Sequence, residues 1–228
     1  MNISIIIPTL NEERFIDRTL GRLNRILESV DHEIIVVDGG STDQTVHIAS
    51  NYKVDILSCP KQCRATQMNI GAQHSTGDVL YFIHADVLPN ADCINKIKQA
   101  INEGSHAGCF SYQFDSPKLL LKINARATRS ISLLCGGGDQ TLFIKKSLFE
   151  EMNGFNEDYI IMEDFELTQR LRKQNTFTVI PSDVIVSARK YEKNSYMRVQ
   201  LANLVVFSLF RMGASPKRLA RYYGAMLN

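Results

Sequence analysis

Residues 79–83, Val-Leu-Tyr-Phe-Ile, form an unbroken apolar run rich in β-branched and aromatic side chains, and they end abruptly in His84-Ala85-Asp86. A short continuous run of this kind reads as a strand buried on both faces, as found inside a parallel sheet. That reading constrains the rest of the chain, because such a strand needs helices on both sides of the sheet. A carboxylate at the carboxyl end of a buried strand stands where open α/β sheets bind ligands. On an extended chain, positions i and i+2 share a face, so His84 and Asp86 could reach one metal ion or one phosphate. The structural alternative is that Asp86 caps the following turn.

The preceding sequence repeats the pattern. Residues 2–7 read as a first buried strand, closed by Pro8, and a helix follows to about Leu27. Thr9 or Asn11 can cap that helix, with Glu12 and Glu13 favourable in its first turn. Residues 32–38 form a second strand, ending in Asp38-Gly39-Gly40-Ser41-Thr42-Asp43. The two glycines let the backbone turn tightly and approach a ligand, and Asp38 falls on the same sheet edge as Asp86. No G-x-G-x-x-G is present, so a dinucleotide fingerprint is absent. A short strand is expected over 53–57 and helices over 64–72 and 90–101. Arg64 near the start of its helix could meet a phosphate, Gln67 and Asn69 could hydrogen-bond a sugar or base, and Met68 reads as core. Four strands alternating with helices predict a parallel, right-handed α/β half.

The second half is less regular. A strand is expected over 108–114, a helix over 119–134, and a glycine loop, 136–138, leading through Asp139-Gln140 into a strand over 141–144. Leu167 and Leu171 mark the buried side of another helix, with Glu163 and Asp164 at its N-terminus. Acids there are favoured by the helix dipole, so a purely structural role stays open for both. Two strand-like pieces follow, at 177–180 and 184–186. Residues 197–210 are apolar-rich but too short to span a bilayer; they suit a helix packed on the core or one lying in a membrane interface.

The 228 residues allow one large domain or two small ones. A net charge of +2, from 26 basic and 24 acidic residues, gives no reason to expect a nucleic-acid partner. The distribution says more. From Arg189 onward there are Arg189, Lys190, Lys193, Arg198, Arg211, Lys217, Arg218 and Arg221 against the single acid Glu192, a bias that suits an anionic surface as well as a solvated helix face. Five cysteines, Cys59, Cys63, Cys93, Cys109 and Cys135, read as free thiols in a reducing compartment, with no second Cys/His pair to complete a zinc site. No leader precedes the first strand and no apolar run reaches the length of a spanning helix, so a cytoplasmic protein is expected.

Taken together, Pro8-Thr9-Leu10-Asn11-Glu12, Val37 to Asp43, Arg64 with Gln67-Met68-Asn69, His84-Ala85-Asp86, Gly138-Asp139-Gln140 and Met162-Glu163-Asp164 with Arg170-Leu171 occur in the order seen in one family. The chain resembles the family 2 glycosyltransferases, which have the GT-A fold: a Rossmann-like, mostly parallel sheet flanked by helices, here with a C-terminal helical tail. It most resembles their small bacterial branch with His-Ala-Asp in place of Asp-x-Asp and with a Ser-Ala-Arg, here Ser187-Ala188-Arg189. The resemblance implies a GT-A domain over 1–190, with a nucleotide-binding half (1–103) and an acceptor half (104–190), followed by a tail over 191–228. It implies transfer of a sugar from a nucleoside diphosphate to an unidentified acceptor, with inversion. Asp86 would hold a divalent cation, manganese or magnesium, with His84 beside it. Asp38 would contact the base, Pro8, Asn11, Glu12, Arg64 and Asn69 would line the donor pocket, and Arg189 would approach the diphosphate. Asp164, with Glu163 beside it, would supply the general base, and Asp139 and Gln140 would lie in the acceptor region.

Two other classes fit the same strands. A sugar nucleotidyltransferase would open with a glycine-rich basic loop, whereas this chain has acidic Thr9-Leu10-Asn11-Glu12-Glu13. A non-catalytic nucleotide-sugar or lipid-binding protein would share the fold without turnover, a reading that retention of Asp38, Asp86 and Asp164 opposes. For the tail, contact with the inner membrane face, packing on the sheet and a homodimer interface are all open, and a lipid-linked acceptor would agree with the first.

Overall fold

The computed structural model describes residues 1–28, 30–126, 141–174 and 176–227. The first elements alternate strand and helix: β1 (Ile3–Thr9), α1 (Ile16–Leu27), β2 (His32–Asp38), α2 (Thr45–Ala49), β3 (Asp55–Ser58), α3 (Arg64–His74), β4 (Val79–Phe82), then β5 (Val87–Leu88) and α4 (Cys93–Asn102). The rest comprises β6 (Ala107–Phe114), α5 (Leu119–Arg126), β7 (Leu142–Lys145), α6 (Lys146–Glu151), α7 (Glu163–Arg172), β8 (Phe177–Val186), α8 (Lys190–Lys193), α9 (Tyr196–Arg211) and α10 (Pro216–Leu227).

One sheet carries both halves, in the order β3-β2-β1-β4-β7-β6-β8-β5. β1 pairs in parallel with β2 and β4, and β2 with β3. The direction then reverses: β7 is antiparallel to both β4 and β6, β8 runs parallel to β6, and β5 closes the far edge antiparallel to β8. Register places Thr9 opposite Asp38 and Asp38 opposite Ser58, so the carboxyl ends of the parallel strands form one edge.

The continuous apolar runs follow from burial on both faces. Ile5, Ile7, Val36 and Tyr81 pack with Leu20 and Leu23 of α1 and Ile97 of α4. Their neighbours Ile6, Val37, Leu80 and Phe82 point the other way and pack with Met68 of α3, Leu167 and Leu171 of α7, and Phe155. Each such side chain contributes about 1.5–3 kcal/mol when fully buried. α3 comes so close to β1 that a Cβ on Gly71 would sit 2.5 Å from Cγ2 of Ile6, which is why that position has no side chain.

Several expected boundaries move. α1 begins at Ile16, capped by neither Thr9 nor Asn11: Thr9 ends β1, and the Asn11 amide is bound to Thr42. β4 stops at Phe82, and residues 83–86 leave the strand, turning where the Val87 N–H bonds the His84 carbonyl at 3.1 Å. His84 and Asp86 therefore do not share a strand face; a turn sets their directions. The two pieces expected at 177–180 and 184–186 are one strand, β8, whose pairing with β6 is irregular between Phe110 and Tyr112. The two-residue β5 had no signal of its own, being too short for alternation to show. The helix expected to 134 is described to Arg126, and Cys135, the glycine loop, Asp139 and Gln140 lie outside the described residues.

The tail packs on the body. α9 buries Val199, Ala202, Val206 and Phe210; Val199 joins Leu121 and Tyr191, while Val206 and Phe210 join Leu219 of α10 with Tyr159, Met162 and Phe165 near the start of α7. The opposite side of α9 leaves Met197, Leu201 and Leu204 exposed, and α5 likewise exposes Leu119, Leu120 and Ile123. Among the described residues, no helix is long and apolar enough to cross a membrane.

Candidate active site at the carboxyl edge of the sheet

The loops after β1 and β2 are tied into one unit by side chains that would otherwise read as isolated caps. The N–H groups of Gly40 and Ser41 both donate to Oδ2 of Asp38 at 2.9 Å, and the Ser41 hydroxyl donates to Oδ1 at 2.5 Å. Gly40 makes this turn with φ +91°, a conformation open to glycine at little steric cost. Across the gap, the Asn11 N–H donates to Oγ of Ser41 at 2.9 Å, and Oδ1 of Asn11 accepts from the Thr42 N–H at 2.9 Å. The Glu12 N–H donates to Oγ1 of Thr45 at 2.7 Å. Asp38 and Asn11 thus organise the loops first, at the edge where a ligand of an open α/β sheet would lie.

α3 connects this edge to α7. Nε2 of Gln67 donates to the carbonyls of Thr9 and Val37, both at 2.7 Å. Nδ2 of Asn69 donates to the Phe155 carbonyl and to Oε1 of Glu157, both at 2.9 Å, while its Oδ1 accepts from the Phe155 N–H at 2.9 Å. Both amides were expected to face a sugar or base; both instead brace the fold, since buried backbone carbonyls and N–H groups need partners. Thr66 adds a bond to Glu157 at 2.9 Å. The far end of this loop is held by Arg170, which forks onto Glu166 at 2.8 and 2.6 Å and also donates to the carbonyls of Met152 and Gly154.

Arg64, at the start of α3, points its Nε to Oε1 of Glu163 at 3.0 Å. Glu163 is fully buried and neither of its carboxyl oxygens has a directed hydrogen bond, so the contact is an ion pair at close range. Asp164 is also buried, at 8 % exposure. Met162 precedes them in the left-handed region, φ 68°, and its own side chain makes no cap bond. The partial positive charge of the helix N-terminus favours both acids.

A second cationic centre lies at Asp86. Nε of Arg189 is 3.0 Å from Oδ2 of Asp86, and its Nη1 and Nη2 close on Oε2 and Oε1 of Glu12 at 2.7 and 2.8 Å. The guanidinium carbon is 4.8 Å from the centre of the Phe15 ring. Burial disfavours the charge, but the bonds to Glu12 and the Asp86 carboxylate outweigh it, and the Arg189 pKa is held above the ordinary arginine value even though Arg64 acts against it. The partnership of Arg189 with Glu12 was not legible in the sequence, because it joins residues 177 positions apart.

Among the described residues, no group of three or more His, Cys, Asp or Glu side chains could hold a metal ion. His84 and Asp86 offer an imidazole and a carboxylate at the end of β4. That set fits a cation completed by waters and substrate phosphates, as magnesium commonly is, and does not fit a closed protein cage. Cys59, Cys63, Cys93 and Cys109 are buried thiols outside any disulfide.

A family model described as glycosyl transferase family 2 matches residues 4–193. A dolichol-phosphate mannosyltransferase from Pyrococcus furiosus is 32 % identical over 110 residues, covering 46 % of this chain and 31 % of the relative; the chain thus spans about a third of that relative's length. The 1–349 portion of S. aureus TarS in complex with UDP superposes with a TM-score of 0.69 at 16 % identity, covering 100 % of this chain and 71 % of that one. A mannosyltransferase from Pyrobaculum calidifontis in complex with GDP-Man and Mn2+ gives 0.66 at 20 % identity, covering 98 % and 68 %. The mixed α/β fold, with its parallel-dominated sheet and C-terminal helices, is that of GT-A glycosyltransferase structures.

Proposed function

The chain belongs to glycosyl transferase family 2, and we propose that it transfers a sugar, with inversion, from a nucleoside diphosphate sugar to an acceptor hydroxyl. The observation that carries this reading is the convergence, at one end of the sheet, of Asp38, Asp86, two arginines and the buried Glu163-Asp164 pair. His84-Ala85-Asp86 together with Ser187-Ala188-Arg189 supports placing it in the branch with His-Ala-Asp in place of Asp-x-Asp.

In this reading residues 1–103 hold the donor, 104–190 the acceptor, and 191–228 form the tail. The base lies against the joined loops of Pro8, Asn11, Glu12 and Asp38. Asp86, with His84 beside it, would hold a manganese or magnesium ion, which would supply positive charge to neutralise the leaving diphosphate. Asp164 accepts the proton of the acceptor hydroxyl as its oxygen bonds to the anomeric carbon and the bond to the diphosphate oxygen breaks. Glu163 and Arg64 hold Asp164 in place, and Asp139 and Gln140, which lie outside the described residues, are assigned to the acceptor region. The test is release of nucleoside diphosphate from a panel of UDP- and GDP-sugars with Mn2+ supplied. Tight donor binding without turnover against any hydroxyl acceptor would make the protein a binder and not a transferase.

A lipid-linked acceptor at the cytoplasmic membrane face is supported by the exposed apolar side chains of α5 and α9, by the basic residues Lys122 of α5, Arg198 of α9 and Lys217 and Arg218 of α10, and by the similarity to a dolichol-phosphate mannosyltransferase. Four buried thiols outside any disulfide agree with a reducing compartment. Basic residues near an anionic leaflet contribute about 1 kcal/mol each. Sedimentation with anionic and neutral vesicles at low salt tests this. A protein that ignores both has a tail with another role, and concentration-dependent mass would then assign the stripe to a homodimer.

A further inference from the structure

The carboxylate read as the metal ligand already has a cation. Nε of Arg189 lies 3.0 Å from Oδ2 of Asp86, and the remaining two nitrogens of the same fork are matched to both oxygens of Glu12 at 2.7 and 2.8 Å. Phe15 closes one face of the guanidinium. The carboxylates are largely withdrawn from solvent, with 14 % exposure for Glu12 and 17 % for Asp86. A planar fork matched at three points has one orientation. Arg189 thereby joins the loop after β1, the turn after β4 and the entry to α8.

A divalent cation on Asp86 would face this guanidinium at contact distance, and the two positive charges would repel. Glu12 cannot balance both, because its oxygens are already matched to Nη1 and Nη2. A nucleoside diphosphate alters the balance, since its phosphate oxygens can accept from Nε of Arg189 while they complete the coordination of the cation. Of the Arg189 contacts, the one from Nε is the one exchanged; the paired bonds to Glu12 keep the fork beside the site.

We propose that Arg189 is a positioning residue that occupies Asp86 in the free protein and yields it to the divalent cation only together with a nucleoside diphosphate, so that cation and nucleotide bind cooperatively. This rests on the reading of Asp86 as the metal carboxylate.

The experiment is titration of Mn2+ into the full chain, read by the electron paramagnetic resonance signal of free Mn2+, with and without UDP or GDP. In the wild type either nucleotide should tighten Mn2+ binding at least about tenfold, within the usual range of coupling between sites. Arg189→Gln should bind Mn2+ alone at least about tenfold more tightly than wild type and lose most of that coupling. Arg189→Lys keeps a charge beside Asp86 and should bind Mn2+ alone as weakly as wild type. Unchanged or weaker Mn2+ binding in a folded Arg189→Gln, or equal gains in the Lys and Gln variants, would overturn the proposal. If Arg189→Gln does not fold, the wild type decides: Mn2+ affinity indifferent to both nucleotides also overturns it. Asp86→Asn separates the premise, since Mn2+ binding that survives this change refutes Asp86 as the ligand, whereas loss of binding without a gain in Arg189→Gln refutes the exchange alone.

Discussion

The Nε of Arg64 stands 3.0 Å from Oε1 of Glu163, one at the start of α3 and the other at the start of α7. Arg64 is 45 % exposed, whereas the Glu163 side chain is 1 % exposed. The pair therefore links a solvent-facing cation to a carboxylate that has no directed hydrogen bond. Removing the arginine would leave a buried acid without compensation, a change that costs about 1–3 kcal/mol for a polar group. Arg64→Met should lower stability in urea by roughly that amount, and adding Glu163→Gln should return much of the loss. Simple additivity of the two single changes would show that the ion pair does not hold α7.

Asp164, next along the helix, is the proposed proton acceptor. Asp164→Asn should preserve donor affinity and reduce turnover by at least about a hundredfold, the lower range for loss of a general base. Glu163→Gln should reduce turnover less and lower stability more. Near-normal turnover in Asp164→Asn would transfer the role to Glu163. Loss of folding in that variant would favour a structural role for Asp164 at the helix start.

Glu157 provides a pH-dependent test of the loop that supports α7. The bond from Asn69 holds its carboxyl below the ordinary glutamate range, against partial burial and with further help from Thr66 and Lys61. Because the folded-state value is the lower one, the stabilisation is fully present above the unfolded pKa of about 4.3 and is lost as pH falls through the folded value. Wild type should therefore melt above Glu157→Gln at neutral pH, and the two melting curves should converge as the pH falls below the lowered folded-state value. A difference that persists unchanged into acid would assign the effect to shape and not to charge.

The outward side of α9 can be tested apart from its packed side. Leu201→Ser and Leu204→Ser, at exposed positions, should change stability by no more than about 0.5 kcal/mol and should abolish sedimentation with anionic vesicles. Val206→Ser, at a buried position in the same helix, should destabilise instead. Vesicle binding that survives both leucine changes would remove α9 from the contact.

Some of this molecule is determined locally. The runs at 3–7, 34–37 and 79–83 had to be central strands, because apolar side chains on both sides of a pleat are tolerated only between two layers of helix; the two cores that divide Ile5 and Ile7 from Ile6 are the result. The order of motifs placed Asp38, Asp86 and Glu163-Asp164 at strand and helix ends in advance. Local patterns could not determine what those groups touch. An amide such as Asn69 suits a sugar or a backbone equally well on paper, and only the approach of residues 155–157 to α3 used its donors. The turn of 83–86 out of β4 altered the directions of His84 and Asp86, since a face argument holds only while the strand continues. The apolar stretch 199–210 divides between a buried and an exposed side by where α9 meets α5, α7 and α10. The bridge from Arg189 to Glu12 and Asp86 depends on chain closure across the whole sheet. Hydrophobic periodicity acts over a few residues and specifies elements; charge pairing acts through space, and its partners exist only once those elements have packed.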